Sequence, residues 1–193
     1  MKYYQIIPKV RGYHMVNIIQ SGDILASYAH WAFTKCVYRQ ENYNLYCITN
    51  PDLGPKFGDL MFGREGAVFI NESFEQVLNK VDQSHFQLIP IRKGISDCPQ
   101  KYQILNILKC IDCLNEELSV FTPTPEDKRK LPAFYGNKYE LSKLVIDLKK
   151  IPEGSHLFRL MGCDSIVIVS EEIAKNIRKM KLIGFNLKLI DNN

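Results

Sequence analysis

Cys110 and Cys113 stand in a C-x-x-C spacing within ILKCIDCLNEEL, residues 107–118. That spacing suits a redox dithiol or one half of a zinc site. A redox pair draws its reactivity from a helix N-terminus, whose positive end stabilises the first thiolate. A structural zinc needs four ligands, supplied as two close pairs. No second pair exists: Cys98 and His85 are the nearest candidates and neither has the spacing. Set on a helix at about 100° per residue, Ile104, Ile107, Leu108, Leu114 and Leu118 fall within roughly 60° of Ile111. The spacing therefore predicts an amphipathic helix over Tyr102–Leu118. On it Cys110 lies at the edge of the apolar face and Cys113 nearly opposite, beside Asn106, Lys109, Glu116 and Glu117. About two turns would precede Cys110, so the end-of-helix effect is absent. Both cysteines are expected to be structural, with Cys113 a free thiol at the surface.

The other reactive side chains form no motif. His14, His30, His85 and His156 lack H-x-x-x-H and H-E-x-x-H spacings. Cys36 with His14 is the one assembly resembling a nucleophile and base, and no local signature supports it. A small hydrolase or transferase using Cys36 or Cys113 is the enzyme reading the residues leave. GREG, Gly63–Gly66, lacks both phosphate-loop patterns and is read as a turn. Ser170 precedes two glutamates without a G-x-S-x-G elbow, which makes it a helix N-cap. The residues point to a non-enzymatic binding module without metal or cofactor.

The elements that would position these groups are mostly short. KYYQII and YHMVNII read as strands, as does YNLYCIT, residues 43–49. SYAHWAFTKCVY, residues 27–38, is read as a helix, and NPDLGPKFGD, residues 50–59, as a loop. FTPTPEDKRKLP, residues 121–132, is also loop-like. Residues 66–91 form a strand, a cap at Asn71, a helix with Phe74, Val77, Leu78 and Val81 inward, and a strand ending at Pro90. Residues 165–190 repeat that plan at an offset of 99 without a gap. Val68 and Val167, Glu72 and Glu171, Lys80 and Lys179, Phe86 and Phe185, Leu88 and Leu187, and Ile91 and Ile190 are identical pairs. Ser170 takes the cap position of Asn71. The expected fold class is α/β or α+β, a mixed sheet with flanking helices. It would contain two related strand–helix–strand halves, residues 66–91 and 165–190.

Length favours a single compact domain over residues 1–193, with two intimately packed halves at about 1–95 and 96–193. At 46% hydrophobic and 24% charged, the chain buries a full core. No run reaches the roughly 18 apolar residues of a spanning helix, and MKYYQIIPKVRGYH has no apolar secretory core. A cytoplasmic protein with reduced thiols is expected, so the six cysteines are not read as disulfides. Net charge is +4 and the pI about 8.6. A nucleic-acid-binding regulator is the alternative this balance permits, but the basic residues do not cluster.

Two stretches carry a family likeness. YQILNILKCIDCLNEELS, residues 102–119, has a tyrosine and a leucine–asparagine pair before an aspartate and an acidic–serine end: Tyr102, Leu105, Asn106, Asp112, Glu117 and Ser119. HLFRLMGCDSIVIVSEEIAKNIRKMKLIGFNLKLI, residues 156–190, has a Phe-Arg pair (Phe158, Arg159), a β-run ending in Ser170 and Glu171, and a terminal Gly184–Phe185 strand. Together they resemble a bacterial family first catalogued as a domain of unknown function. That family was later assigned to the immunity proteins of polymorphic toxin systems. The resemblance, clearest over residues 66–190, implies a non-catalytic protein that binds a cognate toxin, often a nuclease, in the cytosol. Its motif positions are packing positions. A nuclease cleft is positive, so an inhibitor that plugs it presents acidic groups. Glu116, Glu117, Glu126 and Asp127 are the candidates, weighed against an ordinary solvated helix end and loop.

Overall fold

A computed structural model describes residues 1–9, 11–20, 33–39, 45–50, 54–63, 66–91, 95, 98, 100–128 and 137–192. In chain order the first half supplies β1 (Tyr3–Pro8), β2 (Met15–Gln20), β3 (Leu45–Asn50), β4 (Leu60–Phe62) and β5 (Val68–Ile70). Helix α1 (Glu72–Glu75) follows, runs on into a 3₁₀ segment (Gln76–Lys80), and leads to β6 (Phe86–Pro90). The second half supplies β7 (Gln103–Ile107), β8 (Cys110–Ile111), β9 (Val120–Pro123), β10 (Tyr139–Lys143) and β11 (Val145–Ile146). It closes with β12 (Leu157–Leu160), β13 (Cys163–Ser170), helix α2 (Glu171–Met180), β14 (Phe185–Leu189) and β15 (Asp191–Asn192).

Two larger sheets form, in the orders β4-β5-β7-β6 and β14-β1-β13-β12-β8. The first is antiparallel throughout, while the second is mixed, because β12 and β8 run parallel. In each sheet a strand from the other half of the chain is inserted. β7 lies between β5 and β6, and β1 lies between β13 and β14. The registers correspond as well. Tyr4 pairs with Val169 and Gln5 with Ile168, while Gln103 pairs with Ile70 and Ile104 with Phe69. Each member of the second set is displaced by 99 positions from a member of the first. The peripheral pairings match in sense too. Ile18 opposes Cys47 as Leu114 opposes Ile146, both antiparallel. Val16 joins Gly63 as Ile111 joins Leu160, both parallel.

Three apolar clusters result. The central one holds Leu60, Val68, Ile70 and Leu105 from one sheet and Ile6, Leu157, Val167 and Val169 from the other. It also holds Phe74, Val77 and Leu78 from the first helical segment and Ile173, Ala174 and Ile177 from α2. The outer clusters bury the opposite faces. Met61, Phe69, Ile89 and Ile104 pack with Val16, Ile18 and Cys47, and Phe158, Leu160 and Ile168 pack with Cys113, Leu114 and Ile146.

The helices are fewer and shorter than a flanking-helix architecture requires: α2 has 10 residues and α1 four. Both are capped as their sequences imply. Asn71 Oδ1 accepts from Phe74 N at 3.1 Å, and Ser170 Oγ accepts from Ile173 N at 3.5 Å. Such a side chain satisfies one of the amide groups orphaned at a helix start. Glu171 and Glu172 in the first turn of α2, and Arg178 and Lys179 in the last, complement its dipole.

Two expectations are overturned. Tyr102–Leu118 is not a helix but β7, β8 and a following turn. Ile104 faces an outer cluster and Leu105 the central one, so β7 is buried on both faces. A strand buried on both sides reads as a continuous apolar run, and such a run satisfies helical spacing by default. Residues 121–132 are not loop throughout, because β9 pairs antiparallel with β10. Of the helix read over 27–38, residues 27–32 lie outside the described residues. Residues 33–38 are a turn and irregular chain.

Candidate functional site

The C-x-x-C residues are not a unit. Cys113 is fully buried in an outer cluster beside Leu114 and Ile146, which corrects its expected place at the surface. Burial pushes its thiol up to about 12. Cys110 is half-buried and aligned in register with Arg159. Helical geometry would have set the two cysteines on one side of a cylinder. In extended chain, positions three apart face opposite sides of the sheet. Among the described residues no three or more His, Cys, Asp or Glu side chains are grouped to hold a metal ion.

Ser170 is fully buried and occupied as a cap, with His156 Nδ1 2.9 Å from its hydroxyl. His14 packs on the Phe57 ring at 4.4 Å between centroids, while the Cys36 thiol donates to Thr34 O at 3.9 Å. The nucleophile-and-base pair is therefore not assembled. His30 lies outside the described residues. Gly63 and Gly66 flank residues outside that set.

Arg159 is the organising side chain, and it is fully buried. Its guanidinium donates to three carbonyls: Asp164 O at 2.6 Å, Gly66 O at 3.1 Å and Phe33 O at 3.2 Å. Burial pulls its pKa down to about 10, so it stays cationic at neutral pH. The fork geometry of guanidinium suits several acceptors at once. The Phe33 bond fixes the start of a strap, residues 33–39, that crosses both sheets. Lys35 pairs with Asp164 at 2.9 Å. Asn106 Nδ2 donates to Val37 O at 3.0 Å. The Gln87 amide accepts from Arg39 N at 3.1 Å and donates to Arg39 O at 2.6 Å. Val37 and Tyr38 are left exposed at 51% and 63%. Tyr38 rims a depression of about 400 Å³ whose apolar wall is Leu78, Val81, Phe86 and Leu88.

The resemblance positions are mostly interior. Tyr102 is buried and donates to Gly58 O at 2.6 Å. Leu105 is in the central cluster, and Asn106 is fully buried against Gln87 and Val37. Ser119 donates to Val145 O at 3.1 Å and accepts from Val145 N at 3.0 Å, stitching the chain before β9 to β11. Phe158 meets Tyr3 edge-on at 5.6 Å, and Phe185 meets Phe74 edge-on at 5.7 Å. Gly184 has φ 103°, and a Cβ there would collide with Leu60 O, which is why glycine precedes β14. Asp112 and Glu117 are exposed.

Glu116 and Glu117 sit in one tight turn. Asn115 Oδ1 accepts from Glu117 N and Leu118 N at 3.1 and 3.0 Å, an Asx turn that holds both glutamates in solvent. Tyr139 donates to Glu116 at 3.3 Å, and its phenol is pushed up by burial and by that carboxylate. Asp147 joins the turn around a depression of about 380 Å³ that also includes Leu114 and Lys150. Leu118 and Val120 are exposed beside it, at 49% and 56%. Glu126 and Asp127 are exposed beyond the far end of β9. Asp147 was missed by sequence reasoning, since long-range backbone bonds, Asp147 N to Cys113 O and Asn115 N to Val145 O, bring it to Asn115. The strap was missed too, because its anchors are long-range.

Residues 18–192, well over half of the chain, match a family model described as "Immunity protein family (Imm11)". No curated protein matches the chain.

Proposed function

The chain belongs to the immunity protein family Imm11, and from that membership we propose that it binds a cognate protein toxin and neutralises it without catalysis. Such a role places it in the cytoplasm of a bacterium carrying a polymorphic toxin system, protecting that cell and its kin in competition. The family match is the observation that carries this reading. The side chains agree with it: Cys113, Ser170, Arg159 and Asn106 are buried and committed to packing or to backbone bonds.

The contact face we assign is the Asn115 turn. It combines Glu116, Glu117 and Asp147 with exposed Leu118 and Val120. Apolar anchors ringed by charge suit a specific protein interface. With net charge +4, the chain does not mimic a polyanion as a whole. A local acidic patch suits a basic cleft such as a nuclease's, and Glu126 and Asp127 would extend it.

We also infer one domain made of two copies of a single unit, about 1–95 and 96–193, whose opening strands β1 and β7 are exchanged. The common displacement of 99 residues across strands, caps and registers supports it.

Co-expression with the product of the neighbouring toxin gene tests the function. Rescue of growth and co-purification of a stable complex are expected. Continued toxicity with no complex overturns it, and retention on DNA or RNA at low salt would favour a nucleic-acid-binding regulator instead.

A further inference from the structure

We propose that the trough between β6 and helix α1 with its 3₁₀ extension is a docking surface that takes an arginine side chain of the toxin. The inference deepens the toxin-binding reading and rests on it. Two depressions make up the trough. One, of about 400 Å³, is rimmed by Tyr38, and the other, of about 540 Å³, lies at the end of β6. Glu75 and Asn79 line both, so the two are continuous. The first has the apolar wall of Leu78, Val81, Phe86 and Leu88. The second adds the carboxylate of Glu72. Among the described lining residues of the pair, Lys101 is the one base, which leaves the carboxylates in excess.

The second half of the chain indicates the occupant. There Arg178, on α2, lays its guanidinium over the Tyr4 ring, 4.6 Å from the centroid. The positions displaced by 99 from these two are Asn79 and Gln103. Their places in the sheets correspond, since Tyr4 pairs with Val169 and Gln103 with Ile70. The surrounding frame recurs as well: Lys101 and Tyr102 repeat Lys2 and Tyr3, and Glu72 repeats Glu171. Only the filling differs. The first half lacks both the arginine and the ring, and it has Glu75 where the second has Ala174. Asn79 is exposed, and Glu75 Oε2 accepts from Gln103 Nε2 at 2.8 Å, which holds the carboxylate beside β7. A guanidinium entering from a partner therefore meets a positioned carboxylate at Glu75 and a second at Glu72. Its planar fork matches a carboxylate with two parallel bonds, where an ammonium offers a point charge. Its stem, or an apolar neighbour, lies against Leu78, Val81, Phe86 and Leu88. A buried arginine is a recurrent anchor of protein interfaces.

The test uses the full-length protein and the product of the neighbouring toxin gene carrying an inactivating mutation. Asn79→Arg with Gln103→Tyr rebuilds in the first half the pair found in the second, and so fills the trough from within. It should weaken the complex roughly tenfold or more, mainly through faster dissociation, as loss of a buried anchor does. Glu75→Gln, which keeps the shape and removes the charge, should act in the same direction. Hydrogen exchange of the wild-type complex reads the surface without any variant, and peptides within residues 72–91 should gain protection. Wild-type affinity in both variants, or a complex that leaves 72–91 unprotected, overturns the proposal while the toxin-binding reading stands. No complex at all removes that reading, and the docking surface with it. The exchange map decides the matter even where a variant fails to fold.

Discussion

Arg159 Nη2 lies 3.2 Å from the carbonyl of Phe33, across 126 residues of sequence. The same guanidinium takes the Gly66 and Asp164 carbonyls. Replacing it with lysine keeps the charge but loses the fork, so buried carbonyls are left unpaired. Arg159→Lys is expected to destabilise the protein by more than about 3 kcal/mol, read from urea unfolding. A midpoint equal to wild type would show that the strap does not depend on it.

The two caps differ in cost. Ser170→Ala loses one capping bond and should cost about 1 kcal/mol. Asn71 also donates to Asp59 at 2.9 Å and to Gln100 at 3.0 Å. Asn71→Ala should therefore cost about 2 kcal/mol or more, and thermal melts of the pair would rank them.

Acid should weaken the fold in a defined window. Burial lowers the His85 pKa, aided by Lys109, whose ammonium lies 3.1 Å from Nε2, and by His156. Asp82 opposes the shift. The unfolded chain then takes up a proton more readily than the folded one, so stability is highest above about pH 6.5 and falls as the pH drops below it. Denaturant midpoints at pH 7.5 and 5.5 check this, and Lys109→Met should shrink the difference. Asp82 and Glu172, both pulled down, lose their contribution only at lower pH, below the ordinary carboxylate range.

The acidic turn should matter for binding and not for folding. Glu116→Lys with Glu117→Lys is expected to slow toxin association by tenfold or more at low salt, leaving the melting temperature within about 2 °C. Stopped-flow association at two ionic strengths reads it. Unchanged rates would move the contact face elsewhere, with the Tyr38 depression next in order.

Neither half should stand alone. A fragment of residues 96–193 keeps β13 and β14 but lacks the strand between them. It is expected to show no cooperative melt, and mixing it with residues 1–95 should restore one. Circular dichroism of the fragments, separate and mixed, decides it.

Local signals were legible and long-range ones were not. Asn71 and Ser170, each at a strand end before acidic residues, announced their helices. The apolar spacing over 66–91 placed Phe74, Val77 and Leu78 inward, where they lie, since burial on one helical face leaves a period. Leu105 and Ile107, in a strand covered on both sides, left none that separates strand from helix. The Phe158–Arg159 pair stood out by resemblance, but nothing near it in sequence announces a bond to Phe33. The neighbour of Cys110 was sought at Cys113, yet Cys110 lies in register with Arg159 and Cys113 is buried beside Ile146, because spacing reports neighbours along the chain, not across it.

The inserted strands also set the order in which the molecule can be made. As the chain leaves the ribosome, β5 and β6 emerge with a gap that stays open until β7 follows. β1 has no sheet partner until β13 and β14 follow it. β1 therefore keeps both of its edges unpaired while the strands between are made, a state that invites chaperones and misassembly. Final closure joins β1 to β13 and β14, a high-contact-order step that folds slowly. Protection of a newly challenged cell would then lag translation by that closing step.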